Sequence, residues 1–243
     1  MKNNYLNPAI PKEIFGNIIS IYLFGSSTRG EQDEYSDYDV FLCIKDCKDE
    51  EYFSIKNIIE ETYKHTKYEF SIYQISSLTE MHKKGSYFLW HLKNEGIQIY
   101  DKNCTLAKLL NSLPRYKKTF EDFQEYYDIL LDIKESVESN DFTPTYELSI
   151  LATLARNVCI GLCYLHGEMV FGRVTPVEKC KEYYSQSFPF NIDEYLNLYK
   201  YRLLENRKNL NLEISQPNKE YINNWIIKVE KLITLAKMRK NNE

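Results

Sequence analysis

Glycine and proline are scarce in this 243-residue chain, at 8 and 7 residues, and no segment repeats, which excludes collagen-like and low-complexity architectures. The N-terminal stretch MKNNYLNPAIPKEIFGN lacks an apolar core of signal-peptide length, and no window reaches the roughly 18 apolar residues that cross a bilayer, so a cytoplasmic location is expected. An excess of positive charge is also missing. With a net charge of -4 and a pI near 5.7, the chain as a whole has no electrostatic attraction for a polyanion, which argues against nucleic acid as a partner while leaving a local basic groove open. The six cysteines, at 43, 47, 104, 159, 163 and 180, form no CxxC pair with a matching second pair. A zinc site is therefore not expected, and the thiols read as buried and free. His65, His82, His91 and His166 show no metal-ligand spacing and read as surface or satisfied side chains.

What is present is ordinary for a globular protein: 43% hydrophobic and 27% charged residues, in a chain long enough for two cores. The runs IISIYLF at 18–24 and YDVFLCI at 38–44 read as buried strands, and KYEFSIYQI at 67–75 as a third. Between them, 49–64 carries Phe53, Ile55, Ile58, Ile59 and Tyr63 at mostly helical spacing, with acids in the first turn where the helix dipole favours them. The segment 86–101 reads as a helix stopped at Gly96 in a left-handed position, followed by a short strand. From there the pattern is helical, at 104–112, 116–138, 145–166, 176–184, 191–210 and 218–239, with breaks at Pro114, Pro144, Gly167, Pro189 and Pro217. The basic stretch after Leu235 reads as a solvated tail. The expected fold class is α+β: a small mixed-sheet domain over 1–101 and an all-helical bundle over 102–243.

The chemistry concentrates in IYLFGSSTRGEQDEYSDYDVFLCI, residues 21–44. One strand ends at Gly25-Ser26, and another begins at Asp37-Tyr38-Asp39. Alternation along the strand puts Asp37 and Asp39 on one face and Tyr38 and Val40 on the other. Two adjacent carboxylates repel unless a cation lies between them, and a hard divalent ion such as magnesium, which also binds triphosphate oxygens, suits them. Gly25 and Ser26, followed by Ser27, Thr28 and Gly30, offer backbone N–H groups and hydroxyls to phosphates, and Arg29 a charge-assisted contact. On the third strand Glu69, Ser71 and Tyr73 alternate with Tyr68, Phe70 and Ile72, which places Glu69 on the more polar face.

Gly25-Ser26, ten residues, then Asp37-Tyr38-Asp39-Val40, with Ser36 before the first acid, resembles the nucleotidyltransferase signature of the DNA polymerase beta superfamily. That resemblance implies Mg²⁺ held by Asp37, Asp39 and a third carboxylate from a later strand, for which Glu69 is the match. It further implies ATP or another nucleoside triphosphate as co-substrate, with Gly25, Ser26, Ser27, Arg29 and Ser36 around it. One metal ion would position the triphosphate, the other would lower the pKa of an attacking hydroxyl, and Glu69 would complete the metal site or act as general base.

A minimal domain of this kind followed by helices is similar to the antibiotic-modifying nucleotidyltransferases, which adenylylate a hydroxyl of an aminoglycoside or lincosamide and confer antibiotic resistance. Some of them take a base carboxylate from the helical domain, where Glu147 is the candidate. There Leu148, Leu151, Ala155, Val158, Leu162 and Leu165 form a core stripe, while Arg156, Asn157 and the Phe171-Gly172-Arg173 segment either line an acceptor cleft or serve structure. A helical ribonuclease-type toxin partner domain is disfavoured, because the spacing from Arg156 to His166 is too long for its Arg-to-His motif. The expected activity is transfer of AMP from ATP to a hydroxyl of a small-molecule acceptor. The alternatives are a protein adenylyltransferase of antitoxin type and a nucleotide-sensing module. A homodimer formed through the helical domain is in keeping with some members of the family.

Overall fold

The computed structural model describes residues 9–31, 36–206 and 217–240. By packing, the chain divides between Lys117 and Lys118 into two compact units.

In the first unit, α1 (Lys12–Phe15) leads into β1 (Ile18–Phe24), α2 (Ser26–Arg29) and β2 (Tyr38–Ile44). These are followed by α3 (Asp49–Tyr63), β3 (Tyr68–Gln74), α4 (Ile75–Lys83), α5 (Tyr87–Glu95), β4 (Ile97–Asp101) and α6 (Thr105–Asn111). The strands form one mixed sheet in the order β3-β2-β1-β4, with β2 antiparallel to β1 and parallel to β3. The central strands β1 and β2 are covered on both faces, which is why their sequences are nearly continuous apolar runs rather than alternating ones. On one face Leu23, Val40, Leu42 and Ile44 pack with Ile55 and Ile59 of α3; on the other Tyr22, Phe24, Phe41 and Cys43 pack with Leu78, Leu89, Leu92 and Leu106. Phe53, part of the expected stripe on α3, faces solvent.

Gly96 ends α5 for a different reason from the one its sequence position implies. Its backbone is extended, at φ -70° and ψ 131°, not left-handed. A Cβ there would lie 2.3 Å from the Leu92 carbonyl oxygen and 3.1 Å from Tyr22 Cδ1, so the last turn of α5 itself, with β1 close beside it, excludes a side chain.

Residues 102–117 belong with the sheet, beyond the division expected at 101. Leu106, Leu110 and Leu113 are buried in the cluster under α5, and Trp90 Nε1 donates to the Pro114 carbonyl at 3.1 Å. The Asp101 carboxylate accepts from the backbone N–H groups of Leu106 and Ala107 and from Ser20 Oγ, tying α6 to β4 and β1.

The second unit comprises α7 (Thr119–Glu138), α8 (Pro144–Leu165), α9 (Thr175–Tyr184), α10 (Ile192–Asn206) and α11 (Lys219–Lys240). Pro144 opens α8 rather than breaking a helix, as suits a residue without an N–H in a first turn. Leu148, Leu151, Ala155, Val158 and Leu162 are fully buried against Phe123, Leu130, Trp225 and Val229 from neighbouring helices.

Contrary to the expectation from sequence, α8 is long and apolar enough to span a membrane, with an 18-residue window of mean hydropathy 1.6. However, 72% of that window is buried inside the fold, so the apolar residues serve this unit's core. The stretch after Leu235 continues α11 through Lys240; Lys237 Nζ donates to Gln124 Oε1, and Arg239 donates to the Leu165 carbonyl and contacts His166. The six cysteines are free thiols; Cys43, Cys159, Cys163 and Cys180 are buried, Cys47 is half-buried and Cys104 exposed.

Candidate active site

The sheet register sets Asp39 beside Glu69. Phe24 at the end of β1 lies opposite Asp39, and Asp39 lies opposite Glu69 of β3. Asp37 stands two residues before Asp39, where the Tyr38 N–H donates to the Lys67 carbonyl at 2.7 Å and so begins the β2–β3 pairing. Phe41 and Cys43, which share Asp39's alternation, and Tyr73, which shares Glu69's, pack in the same cluster under α5. Asp39 and Glu69 therefore share one face of the sheet, with Asp37 and Asp39 half-buried and Glu69 exposed.

Gly25 is required at the turn for two reasons. Its φ is +77°, and a Cβ would sit 2.0 Å from Asp39 Oδ2. The Asp39 carboxylate occupies the space that any other residue's side chain would fill, so the loop and the acid are built around each other. After Gly25, α2 makes a single turn ending at left-handed Gly30. Ser27 Oγ donates to the Phe24 carbonyl at 3.1 Å and Thr28 Oγ1 to the Gly25 carbonyl at 2.9 Å, so these two hydroxyls brace the turn, which Ser26 heads. Ser36 is buried just before Asp37.

Arg29 points towards α5. Its guanidinium pairs with Glu95, lies 3.4 Å from His91 Nε2, and donates through Nε to Glu31 at 2.8 Å. Burial alone would lower the Arg29 pKa, but the hydrogen bonds and charges of Glu31 and Glu95 carry it above its ordinary value. Burial likewise opposes ionisation of Glu95, yet His91 and Arg29 together hold it below the usual carboxylate range. Sequence reading missed Glu95 and placed His91 among the uninvolved histidines. The available signal was their i, i+4 spacing on one helix face.

Among the described residues no three acidic, histidine or cysteine side chains converge into a self-sufficient metal cage. Asp37, Asp39 and Glu69, the three expected ligands, are thus not gathered into one cage; magnesium typically takes one or two carboxylates and completes its shell with water and substrate phosphate oxygens. A pair of half-buried aspartates with an exposed carboxylate in register beside them fits such an ion.

In the second unit Glu147 lies near the start of α8, only 6% exposed, and accepts a hydrogen bond from Ser136 Oγ of α7 at 3.0 Å. Burial raises its pKa, an effect partly offset by the Ser136 hydroxyl. Arg156 Nε donates to the Gly172 carbonyl at 3.0 Å and its NH2 group to the Phe171 carbonyl, so its guanidinium holds the segment after α8 by backbone acceptors.

Comparison with known proteins agrees with this geometry. Residues 10–105 match the family described as polymerase beta, nucleotidyltransferase. Among solved structures, the spectinomycin adenyltransferase AAD(9) from Enterococcus faecialis, determined with ATP and spectinomycin, aligns over 92% of this chain and 94% of its own, with a TM-score of 0.50 and 16% identity. A toxin-antitoxin structure with AMP-PNP aligns over 48% of this chain and 85% of its own at 15% identity, with a TM-score of 0.29. No curated protein matches the chain by sequence. The first alignment shows that the α+β fold, sheet unit followed by helices, is shared along nearly the whole chain. The Gly25-Ser26 turn, the paired aspartates and the sheet that carries them all lie inside residues 10–105, the part of the chain that is similar to the polymerase beta nucleotidyltransferase family.

Proposed function

We propose that this protein transfers AMP from ATP to a hydroxyl of a small-molecule acceptor of the aminoglycoside or aminocyclitol kind, in a magnesium-dependent reaction. The observation that carries this reading is the register Phe24–Asp39–Glu69 with Gly25 closed against Asp39, which brings the Gly25-Ser26 turn beside Asp39 and its neighbour Glu69. Likeness of fold to an adenyltransferase crystallised with ATP and spectinomycin supports the choice of donor and acceptor class.

In the proposed reaction the acceptor oxygen attacks the α-phosphorus in line, a new P–O bond forms, and the bond to the bridging oxygen breaks to release pyrophosphate. Asp37 and Asp39 would hold magnesium, which when bound offsets phosphate charge and favours ionisation of the acceptor hydroxyl. Glu69, the exposed acid beside Asp39, takes the hydroxyl proton. Gly25 and Ser26 present the backbone at the head of α2 to the phosphates, with Ser27 and Ser36 supporting the turn and the strand entry. Glu147 has no step in this scheme; its burial and its bond to Ser136 give it a packing role in the helical unit. The reading places the enzyme in the cytoplasm, with α8 serving as a core helix.

The test is pyrophosphate release from each nucleoside triphosphate in the presence of magnesium and single aminoglycosides, spectinomycin or lincosamides, with the acceptor's mass followed in parallel. The reading predicts release with ATP and a mass gain of one AMP on at least one acceptor. Magnesium-dependent ATP binding without release across the panel would contradict a small-molecule acceptor and point to a protein acceptor or a nucleotide sensor.

A further inference from the structure

We propose that Glu95, together with His91, is a positioning residue of the nucleotide site: it anchors Arg29 and thereby fixes the Gly25–Ser26 turn against the strand that carries Asp39. The proposal rests on reading the site as a nucleotidyl-transfer centre. It begins from the weakness of α2, a single four-residue turn. One turn has little stability of its own, since nucleating a helix fixes several residues for few hydrogen bonds. The Ser27 and Thr28 hydroxyls brace it only to carbonyls of the same loop, at Phe24 and Gly25.

Arg29, the last residue of α2, reaches another element. Its guanidinium meets the Glu95 carboxylate, which also lies 2.8 Å from His91 Nε2, one turn earlier on α5. The Arg29 and Glu95 side chains are 19% and 12% exposed, so solvent screens this pair less than it would an ion pair on an open surface. On its other side, the His91 ring stands edge-on to Phe24 with centroids 5.4 Å apart. Phe24 is the residue opposite Asp39. One face of α5 therefore holds both ends of the loop, the strand that enters it through Phe24 and the turn that leaves it through Arg29.

The arrangement also directs the Arg29 charge to Glu31, Glu95 and His91, making this guanidinium an anchor for the turn that presents backbone to phosphate. Loosening the anchor shifts the phosphate-binding groups, and positioned reactions are sensitive to misplacements of about an ångström.

The experiment compares the full-length wild type with Glu95→Gln, Glu95→Ala, Arg29→Ala and the Arg29→Ala/Glu95→Ala double variant. The dissociation constant for ATP with magnesium is measured by calorimetry, KM and kcat by pyrophosphate release, and the unfolding midpoint by circular dichroism. Each single variant is expected to raise the Kd and KM for ATP about tenfold, with a smaller fall in kcat. The double variant is expected to be no worse than Arg29→Ala, because the two residues act through one link. Glu95→Gln keeps the shape and the bond to His91, and provides the reading should Glu95→Ala not fold. Wild-type ATP affinity in Glu95→Gln, a lowered midpoint with unchanged KM, or a double variant whose loss is the product of the single losses would each overturn the proposal. Failure of the wild type to bind ATP at all would instead overturn the nucleotidyl-transfer reading on which it rests.

Discussion

At the scale of single residues, the sharpest constraint is the contact between Gly25 and Asp39. Replacing Gly25 with alanine must strain a backbone at φ +77° and drive a methyl group into a carboxylate only 2.0 Å away. A stability loss of about 1–3 kcal/mol follows from the strain, and displacement of Asp39 should cut turnover by about a hundredfold or more. Both are checked by urea titration and pyrophosphate release; wild-type turnover in Gly25→Ala would mean that Asp39 is not needed where it stands. Glu147→Gln gives a prediction of opposite sign. Because burial raises the Glu147 pKa, the stability associated with this group is fullest below the ordinary carboxyl range and is lost as pH rises through the raised value. At about pH 7 the glutamine variant removes the buried charge and keeps an acceptor for Ser136, so it should unfold at a higher temperature, a gain that fades as pH falls into the ordinary carboxyl range. Loss of activity at unchanged or higher stability would instead assign Glu147 a chemical role. Strand alternation in the sequence places Glu69 on the more polar face of its strand, but that it stands beside Asp39 depends on the β2–β3 pairing, which the sequence left open. The Arg29–Glu95–His91 cluster was not legible, since Arg29 lies 62 and 66 positions from His91 and Glu95 along the chain and only tertiary placement joins α2 to α5.

At the scale of elements, what could be read depended on how strong the pattern was. The central strands and the long helices carry apolar runs or stripes that local physics makes unambiguous, and over the described residues they stand where the sequence placed them, the end of the helix expected at 191–210 lying outside those residues. Helix α4 went unread although Ile75, Leu78 and Met81 recur at helical spacing and pack in one cluster, because the helix is only nine residues long and its first residue, Ile75, reads as the end of the third strand. Assignment of α6 depended on what Leu106 and Leu110 pack against, and helical periodicity contains no such information. The α7–α8 contact offers a test at this scale. Gly161 lies within α8, and a Cβ there would sit 2.6 Å from Cε1 of the fully buried Phe123. Alanine gains about 0.5–1 kcal/mol of helix propensity, but overpacking against a ring with no room to retreat costs about 1–3 kcal/mol. The clash wins, and Gly161→Ala is expected to lower stability in a denaturant titration; a rise would show that α7 and α8 can separate at little cost.

At the scale of the whole molecule, two units with separate cores imply separate cooperativity. The clusters on the two faces of the sheet lie entirely within the first unit, and the helical cluster entirely within the second. Scanning calorimetry is expected to give a calorimetric enthalpy larger than the van't Hoff enthalpy, and a single two-state transition would mean that the units unfold as one. The family match is confined to the sheet unit, where the signature and the three acids lie. The central claim, that these acids carry nucleotidyl transfer, is tested most directly by following label from α-phosphate-labelled ATP into acceptor with the wild type and with Asp37→Asn/Asp39→Asn. The account predicts magnesium-dependent transfer by the wild type and none by the double variant at an undiminished helical circular dichroism signal. Transfer by the double variant at the wild-type rate would contradict it.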